Sequence, residues 1–160
     1  MAVTILHADI CDADEILALQ KLAYESEALL YDDWTIPPLT QTLTDFEAEF
    51  GNKVVLKAVD GDTIVGSVRA SLDGATCRIG RLIVHPEHQR KGIGSLLMAR
   101  IERTFPRAER FELFTGTRSA NNIRLYKRLG YREYREENLS PQVRIVFMEK
   151  RNKLPAGDDR

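Results

Sequence analysis

Leu82-Ile83-Val84-His85-Pro86-Glu87-His88-Gln89-Arg90-Lys91-Gly92-Ile93-Gly94-Ser95-Leu96-Leu97 runs from an apolar strand through a Pro-containing turn into a helix. Gly92 and Gly94 at the helix start leave peptide N–H groups without side-chain cover. A helix's first amides have no intrahelical partner and lie at the positive end of its dipole, so such a start suits a phosphate or diphosphate. Arg90 and Lys91 bring cationic charge to the same place. Leu97 stands where the dinucleotide fingerprint needs its third glycine, and no Gly-Lys-Ser/Thr follows, so neither that fingerprint nor a P-loop is present. Taken alone, the turn is equally a plain helix cap with glycine for clearance.

Downstream, Ile93, Leu96, Leu97, Ile101 and Phe105 repeat at helical spacing until Pro106 stops them. Residues 111–115 read as a short strand, 120–129 as a helix closed by Gly130, and 131–135 and 143–148 as two more strands. Upstream the period is two: residues 54–59, 63–72 and 76–84 form an antiparallel meander turning at Asp60-Gly61-Asp62 and Asp73-Gly74. Thr44 or Asp45 caps a short helix through Phe50, and Pro37-Pro38 makes 31–38 a loop. Asp12 and Glu15 give a capping-box pattern for a helix over about 13–30, with Ile16, Leu19, Ala23 and Ser26 inward and Gln20, Lys21 and Glu25 outward. Residues 3–6 are the first strand. The order βααβββαβαββ predicts a mixed α/β (α+β) fold in one domain over 1–151, followed by a solvated tail over 152–160.

A length of 160 residues with 43% hydrophobic content matches one domain with a real core and excludes disordered and fibrous classes. No apolar run approaches the roughly 18 residues that span a bilayer, and the N-terminus lacks a secretory pattern, so a cytoplasmic location without a membrane partner is expected. Cys11 and Cys77 have no CxxC partner and read as small buried thiols rather than a disulfide framework or zinc knuckle. The net charge of −1 hides an asymmetry: residues 1–66 carry three basic and 13 acidic side chains, and residues 67–160 carry 20 basic and 11 acidic. A cationic half suits a polyanion and an acidic half a cation, unless the two simply neutralise each other. The basic residues are dispersed over several elements instead of forming one stripe, so no nucleic-acid partner is expected.

The pattern Gln89-x-x-Gly92-x-Gly94 resembles the acyl-CoA pyrophosphate loop of the GNAT N-acetyltransferase superfamily. Ser119-Ala120-Asn121-Asn122-Ile123-Arg124-Leu125-Tyr126-Lys127-Arg128-Leu129-Gly130-Tyr131 is similar to that family's second motif, with its Leu-Tyr-x-x-Leu-Gly-aromatic ending. The resemblance implies a mostly antiparallel twisted sheet that splays between the strand ending at Val84 and the strand 111–115, with acetyl-CoA in the gap. It implies that backbone groups of Leu82, Ile83 and Val84 pair with the pantetheine arm, and that Gln89, Arg90, Lys91, Gly92, Ile93, Gly94 and Ser95 form the diphosphate loop. The implied activity is direct transfer of an acetyl group to a primary amine of a small-molecule or peptide acceptor in a ternary complex. Where the family usually has asparagine, seven residues before the tyrosine, this chain has Ser119; Asn122 follows three residues later, and either side chain is a candidate for the pantetheine arm. A homodimer through the C-terminal strands, common among relatives, is a further expectation.

Amine attack on a thioester requires that the amine lose a proton and that the leaving sulfur gain one. By similarity to the family, Tyr126 supplies the second; otherwise it is an aromatic packed beside Ile123 and Leu129. Many relatives carry a base glutamate near where this chain has Cys77-Arg78, and arginine cannot accept a proton. Glu27, Asp32 and Asp33 are the carboxylates that offer themselves as base instead, with Glu27 singled out and water as intermediary an open alternative. Glu27, Tyr31, Asp32, Asp33 and Trp34 are the candidate acceptor contacts, an acidic entrance with aromatic flanks that would select a cation. The same residues also read as a solvated acidic turn with aromatic plugs. His85-x-x-His88 with Glu87 lies in a turn without a third ligand nearby, so no metal site is expected. Because the strand carboxylate is missing, a regulatory module that binds acyl-CoA without turnover is the alternative function.

Overall fold

A computed structural model of the chain describes residues 2–153. The strands are β1 (Val3–His7), β2 (Val54–Asp60), β3 (Thr63–Asp73), β4 (Thr76–Val84), β5 (Arg110–Gly116), β6 (Arg132–Asn138) and β7 (Arg144–Arg151). The helices are α1 (Ala13–Ala23), α2 (Glu25–Tyr31), α3 (Pro37–Thr40), α4 (Leu43–Glu49), α5 (Ile93–Thr104) and α6 (Ala120–Arg128). One sheet takes the order β1-β2-β3-β4-β5-β7-β6, antiparallel except where β4 meets β5. None of the described helices is long and apolar enough to cross a membrane.

Strand β3 is covered on both faces, so Ile64 to Ala70 are all buried, the polar Ser67 and Arg69 among them. On one face α1 sets Ile16, Leu17 and Leu19 against Phe46 of α4 and against Val55, Ile64 and Ile83 of the sheet. On the other, α5 sets Ile93, Leu97, Met98 and Ile101 against Leu56, Val65, Val68 and Ile79. Each fully buried side chain of this size contributes about 1.5–3 kcal/mol. Within α5, Met98 takes the inward place expected of Leu96, which is half exposed.

The expected helix over 13–30 is two helices broken at Tyr24. The apolar side of α1 packs on β3 and β4, whereas α2 turns Tyr31 onto Val143 and Ile145 near β7, and no single straight helix serves both. Gln20, expected to face water, is fully buried: its Nε2 donates to Pro38 O at 2.9 Å and to Gln41 Oε1 at 3.0 Å. Ser26, expected inward, is exposed. The capping pattern at Asp12 and Glu15 is also realised differently. Asp9 caps a short 3-10 turn over Ile10–Asp12, Asp12 pairs with Lys57 at 2.9 Å, and Glu15 accepts from the Ile64 amide at 3.0 Å. Thr42, not Thr44 or Asp45, caps the short helix, accepting from Asp45 N at 3.1 Å. Pro37 starts a helical turn inside the expected loop, its missing N–H costing nothing at a first helical position. Cys77 is buried as expected, but Cys11 is exposed. Of the expected tail, residues 154–160 lie outside the described residues.

Candidate active site

Strands β4 and β5 pair only at Thr76↔Arg110, Cys77↔Phe111 and Arg78↔Glu112. Beyond Arg78, β4 stays with β3 as far as Val84↔Gly66, and β5 stays with β7 as far as Gly116↔Ile145. A wedge therefore opens between the two parallel strands. A bulge in β4 marks its start: Ser67 faces Ile83 but Arg69 faces Gly80, so Val68 alone opposes Arg81 and Leu82, and Arg81 sits at φ +52°. Past the bulge the His85 amide donates to Val65 O at 2.8 Å. By the two-residue alternation of an antiparallel ladder, the peptide group of Ile83 also points to β3, and those of Leu82 and Val84 point into the wedge. Two of the three backbone positions expected to line the gap thus present N–H and C=O to it.

Two cavities occupy the wedge and meet at Leu82 and Asn122, which line both. The one toward α5, about 400 Å³, is lined by Leu82, Ile83, Val84, Gln89, Arg90, Gly92, Ile93, Gly94 and Ser95, and by Arg124, Leu125 and Arg128 from α6. Gly92 adopts φ +82°, a conformation glycine reaches without Cβ strain, and this turn delivers the chain into α5. Among the described residues, none of the amides from Gln89 to Ser95 donates to a protein acceptor; the first to do so is Leu96, to Gly92 O at 3.0 Å. Gln89 Nε2 braces the turn by donating to Val84 O at 3.3 Å. A Cβ on Gly94 would touch Leu125, Leu82 and Val84 at 3.4–4.0 Å, so the glycine keeps this cradle open at the cavity wall. Free amides, a helix N-terminus, three arginines and no carboxylate in the lining are a donor set that fits a diphosphate. Lys91 is exposed and outside this lining.

The second cavity, about 380 Å³, lies deeper between α2, β4, β5 and α6. Tyr24, Glu27 and Tyr31 reach it from the helical side, Arg81 and Leu82 from β4, and Thr115, Asn122 and Tyr126 from the far side of the wedge. Asn122 Nδ2 donates to Thr115 Oγ1 at 3.3 Å. Tyr126 is buried, and burial above all, reinforced by Tyr24 and Glu27, raises its phenol so that it stays protonated at neutral pH. Among the described residues its hydroxyl makes no hydrogen bond to the protein, which leaves a proton donor pointing at no partner of its own. Cys77 is no nucleophile here, since burial first and Glu102 second push its thiol up to about 12.

Ser119 is placed differently from Asn122. It is buried outside both cavities, donating to the Glu27 carboxylate and standing 2.8 Å from Tyr31 Oη. The Arg118 amide donates to the same Tyr31 oxygen at 2.8 Å, completing a relay from peptide N–H through two hydroxyls to a carboxylate. Of the expected acceptor contacts, Glu27 and Tyr31 line the cavity. Asp32, Asp33 and Trp34 do not, because the chain reverses at Asp32 in a left-handed turn as α2 ends. Asp33 then accepts from the amide and hydroxyl of Thr35, which, with only a slight opposing effect of burial, hold its carboxyl below the usual range. Trp34 is half exposed. The acidic entrance expected from sequence is not present: the charged lining is Lys53, Arg69, Arg78 and Arg81 against Glu27. Arg69 and Arg81 had a faint signal, each a base inside an apolar strand run, with Gly80 beside Arg81 suggesting a bulge. His88 Nε2 faces Asp60 at 3.5 Å, His85 Nδ1 accepts from the Glu87 amide, and the two imidazoles lie edge to face with centroids 5.4 Å apart.

The family model of the acetyltransferase (GNAT) family matches residues 14–131. This chain belongs to that family. The cavity at the start of α5 has the free amides and arginines that a diphosphate requires. The UPF0157 protein YqkA of Bacillus subtilis is 29% identical over 129 residues, which are 79% of this chain and 36% of the relative; the chain thus spans about a third of the length of that curated relative. The fold also matches solved structures. The ribosomal-protein-S18-alanine N-acetyltransferase of Escherichia coli superposes with a TM-score of 0.82 at 14% identity, covering 99% of each chain. The PaiA N-acetyltransferase of Thermoplasma acidophilum, solved in complex with coenzyme A, gives 0.76 at 16% identity over 94% of this chain and 99% of its own.

Proposed function

We propose that the chain is an acetyl-CoA-dependent N-acetyltransferase that passes the acetyl group directly to a primary amine of a small-molecule or peptide acceptor. The observation that carries this reading is the meeting of the two cavities at Leu82 and Asn122, with the unpartnered Tyr126 hydroxyl on the deeper side. The Thermoplasma neighbour's bound coenzyme A and the Escherichia coli neighbour's alanine acceptor support the same assignment. The exposed thiol of Cys11 and the buried one of Cys77 are in keeping with a reducing, cytoplasmic setting.

Acetyl-CoA, when bound, supplies a thioester whose carbonyl carbon takes the amine and whose sulfur departs. The amides of Arg90 to Ser95, with Arg90, Arg124 and Arg128, hold the diphosphate. The wedge-facing peptide groups of Leu82 and Val84 pair with the pantetheine amides as a further strand would, and the Val84 N–H is a fixed donor to the carbonyl oxygen. Glu27, oriented by Ser119, takes the ammonium proton directly or through water. Tyr126 gives its proton to the departing sulfur, the second proton leaving the nitrogen as the amide forms restores the phenol through water, and Glu27 releases the first to solvent. The test is thiol release from acetyl-CoA over a panel of primary amines. Tyr126→Phe should lower kcat by about 10²–10⁴-fold while coenzyme A affinity is unchanged. Tight binding of acetyl-CoA with no thiol release for any amine would instead mark a sensor module.

A further inference from the structure

We infer that the deeper cavity selects an amine that carries a carboxylate, an amino-acid-like acceptor, and that Arg81 is the carboxylate's partner; this rests on the N-acetyltransferase reading and names its acceptor class. The cations of the lining differ in how far the protein has already neutralised them. Arg69 is 2% exposed, lies 2.9 Å from Glu49 through Nε, donates to Gln41 Oε1 at 2.8 Å and stacks 4.4 Å over the Phe46 ring. Lys53 shares that one Glu49 carboxylate at 3.2 Å. Arg78 is held by Asp73 and Glu112. Arg81 has none of this: among the described residues it forms no ion pair, and its Nη1 is buried without a hydrogen-bond partner.

A buried, unpartnered guanidinium nitrogen is costly to a folded protein and is the first place to look for a missing ligand. The backbone adds a second observation. Arg81 holds a left-handed conformation that disfavours any side chain, and the bulge it creates is what aims that side chain into the wedge. Its surroundings set the sign of the partner. Tyr24, Glu27 and Arg69 line the same cavity, and the Tyr24 phenol, raised chiefly by burial, feels Arg81 and Arg69 pulling one way and Glu27 the other. A polyamine would bring a second positive charge against Arg81, Arg69 and Lys53 with Glu27 alone to receive it. A zwitterion matches the pair instead, its ammonium toward Glu27 and its carboxylate toward Arg81. A cavity of about 380 Å³ is of the size that small-molecule ligands occupy.

The experiment compares acceptors that differ only in the carboxylate, L-phenylalanine against phenethylamine and L-leucine against isoamylamine, with spermidine as a polycation. Turnover is read by thiol release, and acceptor binding to the coenzyme A-loaded protein by calorimetry. The amino acid of each pair should have a kcat/KM at least about tenfold above its decarboxylated partner. Arg81→Gln keeps the backbone requirement and side-chain length; it should raise KM for the amino acids by about 10- to 100-fold and leave the decarboxylated amines within about twofold, with Arg81→Lys recovering part of the loss. Preference of the wild-type protein for spermidine or the decarboxylated amines would overturn the inference, and needs no variant. So would an equal loss on both members of a pair, or a loss of coenzyme A affinity in place of acceptor affinity. Arg81-dependent binding of the amino acids without acetylation of any amine would leave the carboxylate site standing and sink the N-acetyltransferase reading instead.

Discussion

Ser119 touches Tyr31 and Glu27 at once, so one small hydroxyl fixes two side chains of α2 against the start of α6. Tyr31 lies so close to the end of β5 that a Cβ on Gly116 would stand 1.9 Å from its hydroxyl oxygen. Gly116→Ala must therefore displace Tyr31 and break its bonds to Ser119 and the Arg118 amide. Urea unfolding should show a loss of about 1–3 kcal/mol, and an unchanged midpoint would mean that Tyr31 is not packed there. Residues of this kind show how far the sequence could be read. Tyr126, Asn122 and the glycines of the turn stand inside local motifs, and their placement follows from a few neighbours. Ser119 occupies a motif position too, but its partners lie 88 and 92 residues away, and no local pattern reports them. Arg81 left only a faint mark in the sequence, because the burial of its Nη1 without a partner is a fact of three dimensions.

At the scale of elements, the hairpins and the strand-to-helix turn were legible because glycine and the change of period mark them locally. The break at Tyr24 and the burial of Gln20 were not, because both come from what α1 and α2 pack on. The opening carboxylates illustrate the difference. Asp12 does not cap α1 through its side chain but ties the approach to α1 to β2 through Lys57. Burial alone would raise its carboxyl, yet the Asp9 amide and Lys57 outweigh that and lower it. Because the folded carboxyl gives up its proton at lower pH than the unfolded one, its contribution is complete above the ordinary carboxylate range. It fades as pH falls through the folded value. Asp12→Asn, which keeps an acceptor for the Asp9 amide but not the charge, should cost about 0.5–1 kcal/mol at neutral pH. That gap should close as the pH falls through the lowered folded value and the carboxyl takes up its proton. A gap that stays constant down to acid would show that the ion pair contributes nothing.

Across the whole molecule, the charge asymmetry of the sequence resolves into a division of labour. The basic half supplies Arg90, Arg124 and Arg128 to one cavity and Arg69, Arg78 and Arg81 to the other. The acidic half supplies carboxylates such as Glu49, Asp60 and Glu15 that hold the scaffold, and only Glu27 to the deeper cavity. The acidic entrance expected from sequence failed because a count of charges does not say which are already spent on partners. The splayed sheet was expected only through the resemblance of the two motifs to the family's, since no periodicity or spacing in the chain reports where two strands part.

In the proposed function this gap receives coenzyme A, with its diphosphate on the exposed amides before α5. Backbone amide NMR during titration with coenzyme A reads that directly. Saturable shifts are expected at Arg90 to Ser95 and at Leu82 and Val84. Saturation without movement of those amides, or shifts concentrated on β6 and β7, would contradict it.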